Sequence, residues 1–215
     1  MLQTKVDRYD FNGVTYHIKN FIDRNQFSDP KGEAEALGIS SAVWPFFGMV
    51  WPAGLLLADI ISHQPLQGVS VLELGCGLGI ASLVANARGA DILATDYHPM
   101  AAEFLRSNSQ RNGLADTPFR RLDWSEQHDS IGRFDLIMGS DVLYEPNHPH
   151  LLSTFLDRHS ACGTRIIIVD PKRRLHSKFR AQMELLGFES HTEAVTPVQQ
   201  LAFGFRGTVL RFKRA

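Results

Sequence analysis

The run "VLELGCGLG", residues 71–79, sets Gly75, Gly77 and Gly79 at alternate positions behind a short apolar stretch. Glycines spaced this way between a strand and a helix let the backbone turn sharply and approach a ligand closely. Asp96 follows about 20 residues later, at the end of the next apolar run, where a carboxylate accepts hydrogen bonds from ribose hydroxyls. The plainer alternative is a tight turn with a capping acid. Three glycines together with the placed acid favour a nucleoside site. A dinucleotide fingerprint, G-x-G-x-x-G, does not fit, because Ile80 and Ser82 stand where its last glycine would fall. Glu73 lies inside the first strand. Pyrophosphate would have to tolerate that charge, whereas a ligand with an amino or sulfonium group gains from it.

A second group of reactive side chains is "GSDVLYE", residues 139–145, with Ser140, Asp141, Tyr144 and Glu145. It follows an apolar run, and ligands of open α/β sheets bind beyond the carboxyl ends of the strands. Ahead of the glycine loop, "AVWPFFGMVWPAG" carries Trp44-Pro45 and Trp51-Pro52. These aromatics are either core packing or the wall of a ligand site. Other signals are weaker. His148 and His150 have no third ligand at metal spacing and suit a helix start, so no metal is expected. Cys76 is a small residue that fits between two glycines. "PKRRLHSKFR", residues 171–180, is a basic run that reads first as a solvated helix face, with recognition of an acidic protein or RNA as the alternative.

The elements that position these residues follow from periodicity. Residues 5–22 alternate around Asn12-Gly13, a hairpin signal. Residues 23–48 read as loop with one short helix. Apolar residues recur at helical spacing over 53–62, with Pro52 suited to the first turn. Then strands at 70–74, 91–95, 119–123, 134–140 and 164–170 are interleaved with helices at 79–89, 99–113, 148–160 and 175–187. Such alternation predicts an α/β fold with a mostly parallel sheet and helices on both faces. The final strands, 188–194 and 207–214, have no helix between them and should pair antiparallel.

Composition narrows the class. The chain has 22 basic and 23 acidic residues and a net charge of -1, which argues against a broad nucleic-acid footprint. Its two cysteines, Cys76 and Cys162, are far apart, so neither a disulfide framework nor a structural zinc is expected. "MLQTKVDRYD" has no apolar core and is not a signal peptide. The apolar stretch from Gly48 to Ile61 is interrupted by Asp59 and too short for a bilayer. No membrane association is expected, and a reducing, cytoplasmic compartment is the expectation.

"VLELGCGLG" and "ATDYHP" resemble the first two motifs of the seven-stranded, S-adenosylmethionine-dependent methyltransferases. The resemblance covers roughly 50–213. It implies a Rossmann-like seven-stranded sheet in the order 3-2-1-4-5-7-6, its last strand antiparallel, in a domain at 49–215. Residues 1–48 then form an N-terminal hairpin and lid-like extension. By the same match Gly75, Gly77 and Gly79 lie under the cofactor and Asp96 holds its ribose. Asp123 and Trp124 in "RLDW" meet the adenine, and Glu73 and Ser140 border the cofactor. Methyltransferases of planar amides or base amines often carry N-P-P-Y after the fourth strand. This chain has Asp141-Val142-Leu143-Tyr144 instead, which resembles the D-x-x-Y of the seven-stranded protein lysine methyltransferases. Trp51-Pro52-Ala53-Gly54 is similar to the W-P-G-G of the electron transfer flavoprotein β-subunit lysine methyltransferase group, departing at Ala53. Trp51 is thereby expected beside the cofactor or the acceptor amine.

The implied reaction is transfer of a methyl group to a protein, on a lysine side chain, leaving S-adenosylhomocysteine. The acceptor must be a neutral amine, and an ordinary lysine is only about 0.1% neutral near pH 7.4, a cost of about 4 kcal/mol. Burial and a neighbouring sulfonium both lower that cost. Asp141 pulls the other way, so its expected role is orienting the amine or taking its proton. Tyr144 adds a phenol contact or a ring face. The alternatives are a small-molecule amine as acceptor, a non-catalytic cofactor-binding module, and a nicotinamide oxidoreductase, the last weakened by Ile80 and by the lack of a Ser-Tyr-Lys hydride site.

Overall fold

The computed structural model describes residues 3–26, 29, 31–128, 130–195 and 205–214. It begins with a hairpin. β1 (Thr4–Phe11) and β2 (Val14–Phe21) pair antiparallel, with Phe11 opposite Val14. Asn12 (φ 48°) and Gly13 (φ 78°) supply the two positive dihedrals that a two-residue hairpin turn needs. One face of the hairpin buries Phe11, Tyr16 and Ile18, and Phe21 at the end of β2 is buried as well.

The main sheet holds β3 (Ser70–Leu74), β4 (Asp91–Asp96), β5 (Phe119–Arg121), β6 (Phe134–Ser140), β7 (Ser160–Asp170), β8 (Phe188–Val195) and β9 (Gly207–Arg214). Their spatial order is β5-β4-β3-β6-β7-β9-β8. Counted within the sheet, this is the expected 3-2-1-4-5-7-6. The pairs β3–β4, β3–β6, β4–β5 and β6–β7 are parallel, and β9 runs antiparallel to both β7 and β8. The helices are α1 (Glu33–Ala36), α2 (Pro52–Ser62), α3 (Ile80–Ala87), α4 (Ala101–Arg111), α5 (His148–His159) and α6 (His176–Leu185).

Strand alternation divides the core in two. Val71, Met138 and Val169 face one layer with α2, α3, α4 and the hairpin; Leu72, Ile137 and Ile168 face the other with α5 and α6. Each layer therefore covers one face of the sheet, and both faces of the parallel strands are dry. The hairpin shares the first of these cores.

Two differences from the sequence expectation have local causes. β7 begins at Ser160 rather than 164. Its early part, Ser160-Ala161-Cys162-Gly163, has no apolar pattern, and Gly163 has φ 86°. Thr164 holds this irregular start: its hydroxyl donates to Phe134 O (2.7 Å) and accepts from Ala161 N–H (2.8 Å). Helices α3, α4 and α6 stop two residues short of the predicted ends, because Gly89, Gly113 and Gly187 take left-handed conformations past them. Most of the loop expected at 195–206 lies outside the described residues.

Candidate active site

The carboxyl ends of β3, β4 and β6 open onto a cavity of about 750 Å3, within the usual range for small-molecule sites. The glycine loop forms its floor. Gly75 (φ 58°) and Gly77 (φ 52°) line it, while Gly79 (φ 74°) caps the start of α3 and does not reach the lining. Gly77 is constrained twice. Besides its positive φ, a Cβ there would sit 3.0 Å from the Phe47 carbonyl oxygen.

That contact explains the aromatic stretch before the loop. Residues 37–51 fold across the cavity and contribute Leu37, Ile39, Phe46, Phe47 and Trp51 to its wall. Phe47 stacks on His98 (centroids 3.9 Å apart, planes at 18°) and meets Phe21 and Phe104 edge-on. Both tryptophans tie the segment to itself. Trp44 Nε1 donates to Ile39 O (2.7 Å), and Trp51 Nε1 donates to Phe46 O (2.9 Å). Trp51 lines the cavity; Trp44 packs against the core instead. Pro52 opens α2 at the first turn.

The acids occupy distinct settings. Asp96, at the end of β4, accepts the Gly77 N–H on Oδ2 and the His98 N–H on Oδ1, both at 2.8 Å. Burial raises its pKa against those bonds. Glu73 is 3% exposed and its Oε2 accepts from the Ser82 N–H (2.9 Å) and from the Ser82 hydroxyl. Its carboxyl therefore anchors the first turn of α3 and borders the cavity from behind the loop. Burial pushes its pKa up to about 7. Asp123 lines the cavity and also accepts the Ser125 N–H (2.8 Å), a turn-forming bond. Ser140, at the end of β6, faces Gly54 of α2, where a Cβ would lie 3.5 Å from its hydroxyl.

Asp141 and Tyr144 line the same cavity. Asp141 has φ 56°, a left-handed conformation rare for a non-glycine residue and concentrated at functional sites. Its N–H is held by Val169 O (2.9 Å), and its Oδ1 accepts from Arg173 Nε at 2.7 Å. Tyr144 is 42% exposed. Burial, then the charges of Asp96, Glu145 and Asp141, push its phenol up to about 12, so it is a neutral donor at working pH. Beside it His148 packs edge-on against Tyr144 (4.5 Å) and Trp124 (5.2 Å). His148 Nδ1 lies 2.8 Å from Val142 O, and burial lowers its pKa. It is an aromatic wall. Among the described residues no group of three or more His, Cys, Asp or Glu could hold a metal.

The sequence thus located ten of its eleven site residues on one cavity, Gly79 being the one displaced behind it. It did not assign Arg173, His148 or His98 to the cavity, which all three line. Arg173 stands in a basic run beside Arg174, and nothing in the run distinguishes the two. The available signal was position, just beyond the end of β7. His98 was visible in "ATDYHP" only as part of a motif; its role, stacking under Phe47, needs the fold.

A ligand with hydroxyls, an amino group and a positive centre suits this set of acceptors: Asp96, Glu73, Asp123 and Asp141 on a floor that no side chain crowds. The sheet order with β9 reversed, and the site at its carboxyl edge, define the fold of the seven-stranded methyltransferases. Solved structures agree on the fold. A 16S rRNA methyltransferase from Thermus thermophilus superposes with a TM-score of 0.67 at 17% identity, covering 100% of this chain and 51% of that one. Residues 40–185 match the family model described as lysine methyltransferase, and the chain belongs to that family. It is 34% identical over 160 residues to the rat electron transfer flavoprotein beta subunit lysine methyltransferase, covering 73% of this chain and 62% of that protein. To protein N-lysine methyltransferase METTL21A of Xenopus tropicalis it is 35% identical over 133 residues, covering 59% and 60%. The chain therefore spans less than two thirds of these relatives.

Proposed function

We propose that this protein transfers the methyl group of S-adenosylmethionine to the side-chain amine of a lysine in another protein. The observation that carries the reading is that Asp141 and Tyr144 share one cavity with the glycine loop and Asp96. Family membership and the names of the relatives support the same acceptor.

The cofactor, when bound, supplies an activated methyl on a sulfonium. Asp96 takes the ribose hydroxyls, and the Gly75 and Gly77 backbone lies beneath. Asp123 and Trp124 hold the adenine, and Trp51 and Ser140 close the side toward α2. Glu73 borders the cofactor from behind the loop, where it holds Ser82 at the start of α3. Asp141 orients the incoming amine through a hydrogen bond, and Tyr144 offers its phenol and ring. The aromatic wall of Trp51, Phe46 and His148 excludes water, which favours a neutral amine. Residues 1–48 serve as a lid-like extension ahead of the catalytic domain at 49–215, a reading supported by Leu37, Ile39, Phe46 and Phe47 on the cavity wall. A cytoplasmic site of action fits two unpaired cysteines, Cys76 buried and Cys162 exposed. No described helix is long and apolar enough to cross a membrane.

The test is incubation with labelled S-adenosylmethionine and fractionated cytosolic extract. Label in a protein band, recovered as methyl-lysine after hydrolysis, supports the reading. Label only in small amines or nucleic acid overturns the acceptor, and binding of S-adenosylhomocysteine without any transfer leaves a cofactor-binding module.

A further inference from the structure

Arg173 lies on the cavity wall next to the group that must receive the acceptor amine. Its Nε donates to Asp141 Oδ1 at 2.7 Å, with the Asp141 side chain 13% exposed and that of Arg173 39%. Backbone bonds fix both partners. The Arg173 N–H donates to Asp170 Oδ1 (2.8 Å) at the end of β7, and the Asp141 N–H donates to Val169 O (2.9 Å) on the same strand. A guanidinium keeps its charge at every working pH.

We propose that Arg173 is a positioning residue: it holds Asp141 and offsets its charge at the amine subsite, so that the acceptor lysine sheds its proton before transfer. This rests on the methyl-transfer reading above. A lone carboxylate beside the amine would favour the ammonium, the unreactive form. A cation on the carboxylate's other side opposes that effect and leaves Asp141 free to orient the amine with its second oxygen. The balance of the step is simple. The lysine proton leaves to solvent first. The nitrogen lone pair then forms the N–C bond as the C–S bond breaks, the C–S electron pair stays on sulfur, and the positive charge passes to the methylated amine.

Other charged and titratable groups face this pair. Glu145 and Tyr144 come from the loop after β6, Asp170 from β7, and His176 from the start of α6. Asp96 acts on Tyr144 from β4, and His148 stands beside Tyr144 on α5. Asp170 Oδ2 has no hydrogen-bond partner among the described residues, and burial raises that carboxyl to about 6. Arg173 is the cation in contact with Asp141.

The experiment compares initial rates of methyl-lysine formation in one cytosolic extract between pH 7 and pH 10 for wild type, Arg173→Met and Arg173→Lys. The expected result is a loss of about tenfold in Arg173→Met at pH 7, one pKa unit on the amine, which closes as pH rises. Arg173→Lys follows the wild type, because it keeps the charge. S-adenosylhomocysteine affinity stays unchanged in both variants, which also verifies that they fold. A second readout needs no turnover: the Arg173 Nε–H gives an exchange-protected NMR resonance that Asp141→Ala abolishes. A loss in Arg173→Met that is equal at every pH, no loss at all, or an Arg173→Lys profile matching Arg173→Met each overturn the inference alone. No methyl-lysine from the wild type at any pH overturns the methyl-transfer reading and the inference with it.

Discussion

Asp141 and Asp96 are both carboxylates at strand ends, yet their surroundings give them different work. Asp96 is held by two backbone N–H groups of the floor. Asp141 is held by a side chain and sits on a strained backbone. Replacing Asp141 by Ala should therefore abolish methyl transfer and leave S-adenosylhomocysteine affinity within about twofold, because no floor contact changes; calorimetric titration separates the two. Parallel loss of both would make Asp141 structural. Gly77→Ala should do the reverse. Its φ of 52° strains any side chain there, and a methyl 3.0 Å from the Phe47 carbonyl would push that backbone by a few tenths of an ångström. A cost of about 1–3 kcal/mol in stability is expected, with weakened cofactor binding as the loop shifts. An unchanged thermal midpoint and affinity would contradict that account.

At the scale of elements, the hairpin is docked by two side chains of the α4 end. Asn108 accepts the Lys19 N–H (2.8 Å) and donates to Lys19 O, while Asn112 accepts the His17 N–H (2.8 Å) and donates to His17 O. Four residues apart on one helix face, these amides imitate a neighbouring strand and cover the open edge of β2. Asn108→Ala should cost about 1–3 kcal/mol, since it leaves the partly buried Lys19 N–H and carbonyl unpaired, and should speed hydrogen exchange at Lys19 more than at the β7 core. Uniform change across the molecule would contradict local docking. The hairpin itself was legible from Asn12-Gly13 and its flanking alternation. Its docking was not, because the asparagines that hold it lie 89 and 95 residues away. Residues 37–51 were legible only in part: their aromatics could be read as core or as the wall of a site, and Trp51 does line the cavity, but how the segment is held was hidden for the same reason. Phe47 finds its partners in His98, Phe21 and Phe104, and no local period announces that. The main sheet was legible because its central strands β3, β4, β6 and β7 carry apolar runs and α3, α4 and α6 are each followed by a glycine. Arg173 was hidden because its partner is 32 residues distant.

For the molecule as a whole, the buried acid behind the floor sets a pH dependence. Glu73 is raised from 4.5 to about 7 by burial, so the folded state holds its proton more tightly than the unfolded chain. Its favourable contribution is complete below the unfolded value and is lost as pH rises through about 7. Glu73→Gln cannot ionise. Its urea midpoint should gain on the wild type between pH 4.5 and 7, with Asp170, which carries a slope of the same sign, unchanged in both proteins. A constant gap between the two would contradict the account. The same carboxyl illustrates what the sequence could and could not say: its place in the first strand was evident, whereas its bond to Ser82 across the loop was not. The central claim is that one cavity joins a nucleoside floor to an amine-orienting wall. A crystal structure with S-adenosylhomocysteine tests it most directly. The account expects the ribose hydroxyls on Asp96 and the sulfur facing Asp141 and Tyr144; a ligand seated away from the glycine loop, or with its sulfur turned from Asp141, would contradict it.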